Sequence, residues 1–307
     1  MKLSVILVSY DMAREIPRTL EGLARVYQEG AETLEYEVLL IDNGSPTPLD
    51  AAIWKGIDVP VRLIEVENAS ASPARAINIG LQEAKGQVVC LMVDAAHLLT
   101  PGAFRLPLSC FEAFAEPVVA LRYFYLGPDE QTVSVANGYD KAAEDALLEK
   151  IAWPSAGYRL YEICTPLRSG AKIVNWLNRI FESNCLFMSR AHFCDIGGAD
   201  ERFDLPGGGF VNLDIYKRAV EAPDVTAVQL IGEGSFHQLH GGVTTNSLAP
   251  ERKVTLEKFR EQYRAIRGHD DLMADTEMFY FGHVPTMQAN ITALQRARLR
   301  NAGKLVD

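Results

Sequence analysis

The chain has no apolar run long enough to cross a membrane. Its strand-like runs at 4–8 and 88–93 fall far short of the roughly 20 residues a spanning helix needs. Met1-Lys2 leads straight into the first of these runs with no small-residue cleavage site, so no signal peptide is expected. Cysteine is scarce and unpatterned. Cys90, Cys110, Cys164, Cys185 and Cys194 are odd in number and lack CxxC spacing, which reads as reduced, mostly buried thiols in a cytoplasmic protein. Excess positive charge is absent: a net charge of −10 argues against a broad nucleic-acid-binding face and against loose adhesion to anionic lipid. A local basic pocket for a phosphorylated ligand remains compatible with it. No GxGxxG follows the first strand, which disfavours a dehydrogenase. No glycine-rich signature with a basic residue stands near the N-terminus, which disfavours a nucleotidyltransferase. Internal repeats and low-complexity linkers are also missing.

What is present is an alternation of strands and helices in a chain of 307 residues, long enough for a large core. Runs rich in branched apolar residues at 3–9, 36–41 and 61–66 predict strands. Apolar spacing through Ile16, Leu20, Leu23 and Val26 predicts a helix over 13–27, and another follows over 74–84. Short loops between such elements mean βαβ units and a parallel sheet. Further on, helices are predicted over 104–114, 190–196, 211–220 and 250–267, and strands over 118–125, 181–188 and 225–231. Residues 127–169 are less regular, with an acidic helical patch at 141–150. Such an excursion serves as a lid or acceptor-facing arm, or as a structural insertion.

The stretch from Gln87 to Gly102, QVVCLMVDAAHLLTPG, organises the rest. Its apolar run reads as a strand buried on both faces, and Asp94 stands at the carboxyl end, where open α/β sheets bind ligands. On its own such an acid is more readily a helix N-cap or turn residue.

Five segments occur in order at suitable spacing: LSVILVSYD at 3–11, LIDNGS at 40–45, PARAINIG at 73–80, VDAAHLLTPG at 93–102 and GGADERF at 197–203. Together they resemble the inverting, nucleotide-sugar-dependent family-2 glycosyltransferases. The resemblance covers about residues 1–245. It implies an α/β fold of GT-A type, a mostly parallel twisted sheet flanked by helices. The transferase domain would cover 1–247, with a nucleotide-binding half at 1–102 and a helical extension at 248–307.

By that resemblance, Asp42 accepts hydrogen bonds from a pyrimidine, the alternative being an Asx-turn within Asp-Asn-Gly-Ser. Ser9 and Tyr10 contact base or ribose, and Arg75 pairs with nucleotide oxygens beside a helix N-terminus. Asn78 matches a recurrent position and could serve only the local backbone. Asp94 is the first acid of the DxD that holds Mg²⁺ or Mn²⁺ against a diphosphate. Ala96 stands where the second acid belongs. His237 and His240, three apart in a glycine-rich stretch, are read as completing the metal site, and His97 could contribute. Thr244, Thr245 and Asn246 could bind phosphate oxygens.

The general base is expected from an acid pair before a helix, but Val211-Asn212 fill those slots. Asp214 is then the nearest ionisable substitute, its ordinary alternative being a helix-face pair with Arg218. Asp200 and Glu201 are weaker candidates.

The expected activity is therefore transfer of a sugar from a UDP-, GDP- or dTDP-sugar to a saccharide hydroxyl with inversion, as in polysaccharide biosynthesis. A silent module that binds nucleotide or sugar, or scaffolds a partner, is the competing reading. The tail, with Tyr280-Phe281 and a basic helix at 287–300, could dimerise the protein, cover the site or pack on the core.

Overall fold

The computed structural model describes residues 3–167, 176–241 and 249–283. One sheet runs through it, in the order β10-β9-β6-β8-β4-β1-β2-β3. The first half comprises β1 (Leu3–Ser9), α1 (Ile16–Glu21), β2 (Tyr36–Asp42), β3 (Val61–Glu65), α2 (Ala74–Glu83) and β4 (Val88–Met92). Here β1 pairs in parallel with β2 and β4, and β2 with β3. Next come β5 (His97–Leu99), α3 (Arg105–Ala113), β6 (Pro117–Leu126), α4 (Gln131–Ala136), α5 (Lys141–Lys150) and β7 (Cys164–Pro166). The remainder is β8 (Leu186–Ser189), α6 (Arg190–Asp195), α7 (Val211–Glu221), β9 (Thr226–His237), α8 (Ala249–Arg267) and β10 (Phe279–Gly282). β8 is antiparallel to β4 and β6, whereas β9 runs parallel to β6 and β10.

Alternation along the strands loads both faces. Leu3, Val5 and Leu7 join Val38, Leu40, Cys90 and Met92 beneath α1 and α3. Ile6 and Val8 join Leu39, Ile41, Val89 and Leu91 beneath α2, α6, α7 and α8. This two-faced burial is why the strands read as continuous apolar runs. A third cluster, with Leu126, Leu148, Tyr161 and Phe236, gives the 127–167 excursion its own core. Phe259 and Tyr263 of α8 sit in the main core, and β10 adds an edge strand, so the segment after 248 is integrated with the sheet. The 247/248 boundary and the basic helix at 287–300 lie outside the described residues. No described helix is long and apolar enough to cross a membrane.

Three elements differ from expectation. The first helix is shorter than 13–27: after Gly22 the chain is gripped by Gln28, whose amide donates to the Gly22 and Thr100 carbonyls. Val26 is consequently exposed while Ile16, Leu20 and Leu23 are buried. The strand expected over 181–188 starts only at Leu186, because the Ser183 hydroxyl bonds the Leu121 and Cys185 carbonyls and Asn184 turns to other partners. Conversely, β9 continues six residues past Ile231 to His237. A register shift at Ala120/Arg122 of β6 lets pairing resume, and β5 adds a partner on the other side. Polar Glu233, Ser235 and His237 are buried there, which hid the strand from a hydropathy reading.

Candidate functional site

The carboxyl edge of the parallel half is built by register. Ser9 of β1 lies opposite Asp42 of β2, Asp42 opposite Glu65 of β3, and Leu7 opposite Met92, two residues before Asp94. Arg75 begins α2, directly after the β3–α2 loop. That loop is tied to β2 by Asn43, whose amide nitrogen donates to the Ser70 and Ser72 carbonyls. The residues singled out in the first half thus share one edge.

Their side chains differ in readiness. Asp42 is buried, and its Oδ1 accepts from the Ser45 amide and hydroxyl at 3.1 and 2.6 Å, so the Asx-turn is present. Its Oδ2 has no partner among the described residues. Ser9 Oγ and Asn43 Oδ1 are buried, and neither has a hydrogen-bond partner among the described residues. The Asn43 amide donates to the Ser9 carbonyl at 2.8 Å, which brings these orphaned oxygens into one neighbourhood. Orphans of this kind need an explanation, and a polar ligand is one. Tyr10 is exposed at the rim. The Arg75 guanidinium is exposed and makes a single 3.3 Å bond, to the Asn68 carbonyl. Asn78 clamps the Gly197–Phe203 turn, donating to the Ala199 carbonyl and to Glu201 and accepting from the Ala199 amide.

Beside them, strand pairing brings together Asp94, His237 and His240. His97 sits opposite His237 in the β5–β9 ladder. Asp94 Oδ2 lies 2.9 Å from His240 Nε2 and 3.3 Å from His237 Nε2, and the two nitrogens are 2.9 Å apart. Three such atoms crowd this closely only with a shared proton or a cation between them. Cis ligands about 2.1 Å from an octahedral ion stand about 3.0 Å apart, which this triangle nearly matches. Two imidazoles with one carboxylate suit Mn²⁺ better than Mg²⁺.

The charge states agree with that arrangement. Burial opposes ionisation of Asp94, but His240 and His237 outweigh it and hold the carboxyl well below the usual range. Burial keeps His237 below its ordinary value, whereas for His240 the pull of Asp94 overcomes burial and raises it. His97 is held well below by burial, and its ring bonds Asn184 and Ser235 at 2.6 and 2.7 Å. It faces these partners and is no part of the triad.

The supports of the triad come from residues that no spacing or motif singles out. Gln131 of α4 accepts from His237 Nδ1 at 2.7 Å, which leaves Nε2 bare. The Gln238 amide donates to the Ala96 carbonyl, and the Leu239 amide to Glu144 of α5. Arg14 binds both Glu15 and Glu144. The acidic helix therefore buttresses the His237–His240 segment. Asp94 Oδ1 accepts from the Ala96 amide, and Ala96 itself is buried in the core with Met92 and Leu99, so position 96 points away from the triad.

Asp214 is a correction. Its carboxylate is 1% exposed and bound by Arg267 at 2.6 and 2.8 Å and by Arg218 at 2.8 Å. A carboxylate sealed between two guanidiniums has no access to a substrate. Arg267 also reaches Asp200, whose second partner is Arg202, so Asp200 belongs to the same ion-pair cluster. Thr244, Thr245 and Asn246 lie outside the described residues.

The model for "Glycosyl transferase family 2" matches residues 4–161. No curated protein sequence matches the chain. Among solved structures, that of Staphylococcus aureus TarS 1-349 with UDP aligns at TM-score 0.50 and 15% identity, over 86% of this chain and 72% of that one. The same fragment with UDP-GlcNAc aligns at 0.53 and 16%, over 99% and 73%. At this identity the likeness is one of fold, a mixed α/β architecture with a mostly parallel sheet flanked by helices.

Proposed function

Because the chain belongs to glycosyl transferase family 2, we propose that it moves a sugar from a nucleoside-diphosphate sugar onto a hydroxyl of a saccharide or similar acceptor, with inversion. The observation that carries this reading is the Asp94–His237–His240 triad standing at the same sheet edge as the orphaned oxygens of Ser9 and Asn43. In this reading the base and ribose lie against Ser9, Tyr10, Asn43 and Asp42, whose unpartnered Oδ2 accepts from a pyrimidine N–H. Arg75 pairs with ribose or phosphate oxygens. The triad holds Mn²⁺ or, less well, Mg²⁺. Bound there, the ion would neutralise charge building on the departing diphosphate. Two histidines in place of a second acid leave this N₂O set less negative than a pair of carboxylates.

The chain's own residues fix the geometry. Gln131 holds the His237 tautomer, and Glu144 with Gln238 fixes the turn that carries His240. The TarS structures are complexes of UDP and UDP-GlcNAc. A uridine donor is therefore the first to test here. Five free thiols suit the cytoplasm, where we place the activity.

A silent nucleotide-binding module is kept as a second reading because Asp214 is consumed by ion pairs and Asn212 cannot take a proton. The test is release of nucleoside diphosphate from UDP-, GDP- and dTDP-sugars with MnCl₂, alongside the thermal shift given by each nucleotide. Release with at least one donor supports the transferase. Thermal shifts without any release support the silent module.

A further inference from the structure

With Asp214 sealed away, one acid near the triad stays unclaimed. Glu182 lies in the segment between β7 and β8 and is half-buried. Among the described residues its one hydrogen bond comes from the Asn212 amide, at 3.2 Å to Oε2, and it has no cationic partner there. Asn212 in turn keeps its own Oδ1 buried and unpartnered. Two residues on, Asn184 anchors this segment to the site: its oxygen accepts from the Val93 amide at 2.7 Å and its nitrogen meets His97 Nε2 at 2.6 Å. Val93 directly precedes Asp94, so the backbone carrying Glu182 is fastened to the backbone carrying the triad's carboxylate.

Aromatic packing sets Tyr123 beside the triad. Tyr123 stacks on His237 at 5.6 Å and meets Tyr125 at 5.0 Å. Asp94 and Glu182 both act electrostatically on the Tyr123 hydroxyl, so this one side chain feels both carboxylates. Crowding by protein raises the Glu182 carboxyl above its ordinary value, and the Asn212 hydrogen bond only partly offsets it. A carboxylate without a countercharge, reachable from solvent and more basic than usual, is suited to accept a proton.

We propose that Glu182 is the general base, oriented by Asn212, that takes the acceptor's proton. This rests on the transferase reading above. In the step, the acceptor O–H bond breaks and its proton passes to a Glu182 oxygen. The acceptor oxygen forms a bond to the anomeric carbon. The bond from that carbon to the diphosphate oxygen breaks, its electron pair leaving with the nucleoside diphosphate. Glu182 then returns the proton to water.

The test uses the full chain, MnCl₂ and whichever donor of the UDP-, GDP- and dTDP-sugar panel the wild type turns over. E182Q should retain its thermal shift with the matching nucleoside diphosphate and lose about 10²–10⁴-fold in kcat. The acidic limb of the wild-type kcat/KM profile should vanish with it. Should E182Q not fold, E182D reads the same point, with a kcat loss above tenfold at unchanged nucleotide affinity. Wild-type kcat in either variant overturns the assignment while leaving the transferase intact. If the wild type turns over no donor, the transferase reading itself fails, a different result from either.

Discussion

His237 donates its Nδ1 proton to the Gln131 carbonyl oxygen across 2.7 Å, and so presents a bare Nε2 to Asp94 and His240. The two residues are 106 positions apart, one at the carboxyl end of β9 and the other on a helix of the excursion. The geometry of the three candidate ligands is thereby set from outside them. Replacing Gln131 with Leu should keep the fold and weaken Mn²⁺ affinity about 10–100-fold, as loss of an outer partner commonly does. Calorimetric titration with MnCl₂ reads this directly, and unchanged affinity would show that the tautomer is fixed by something else.

Asp214 should behave as a structural anchor. D214N leaves Arg267 and Arg218 facing one another without their shared countercharge, each about four-fifths buried. Breaking a fully buried pair costs about 3–5 kcal/mol, and partial exposure of the arginines lowers this to about 2–4 kcal/mol. Denaturant unfolding should show that loss, while turnover of whatever fraction is folded stays near wild type. A turnover loss beyond about 100-fold at wild-type stability would return Asp214 to the catalytic role.

Glu233 introduces a pH dependence. Burial raises its carboxyl to about 7, helped by Glu29 and opposed by Tyr158, which donates to Oε1 at 2.9 Å, and by Arg105. The unfolded chain releases this proton near pH 4.3. Between there and about 7 the folded state binds more protons, so stability is fully present below about 4.3 and falls as pH rises through about 7. The loss is roughly 4 kcal/mol at most. E233Q should flatten the pH dependence of the melting temperature across that window. A slope equal to the wild type's would exclude Glu233 as its source.

How much of this could be read beforehand depends on where each signal resides. The alternating burial of Leu3, Val5 and Leu7 against Ile6 and Val8 is written locally, so the first sheet strands and their order as βαβ units were legible. His237 and His240 stood out as a pair, but the strand carrying His237 did not, since buried polar side chains at 233, 235 and 237 mimic a loop. Gln131, Glu144 and Asn184 act on the site across large sequence separations through neutral or common side chains, and no spacing rule selects them. Asp214 misled because its i,i+4 partner Arg218 is visible locally while Arg267, 53 positions away, is not. Ala96 looked like a missing ligand, yet it is buried in the core, and the groups beside Asp94 are His237 at the end of β9 and His240 just beyond it.

The claim on which the account rests is that Asp94, His237 and His240 jointly hold the cation that meets the diphosphate. Its most direct test is anomalous diffraction at the manganese edge from crystals soaked with MnCl₂ and UDP. The account predicts one peak about 2.0–2.3 Å from Asp94 Oδ2 and both Nε2 atoms, in contact with a diphosphate oxygen. UDP bound at the Ser9–Asp42 edge with no peak at the triad, or with the peak elsewhere, would contradict it.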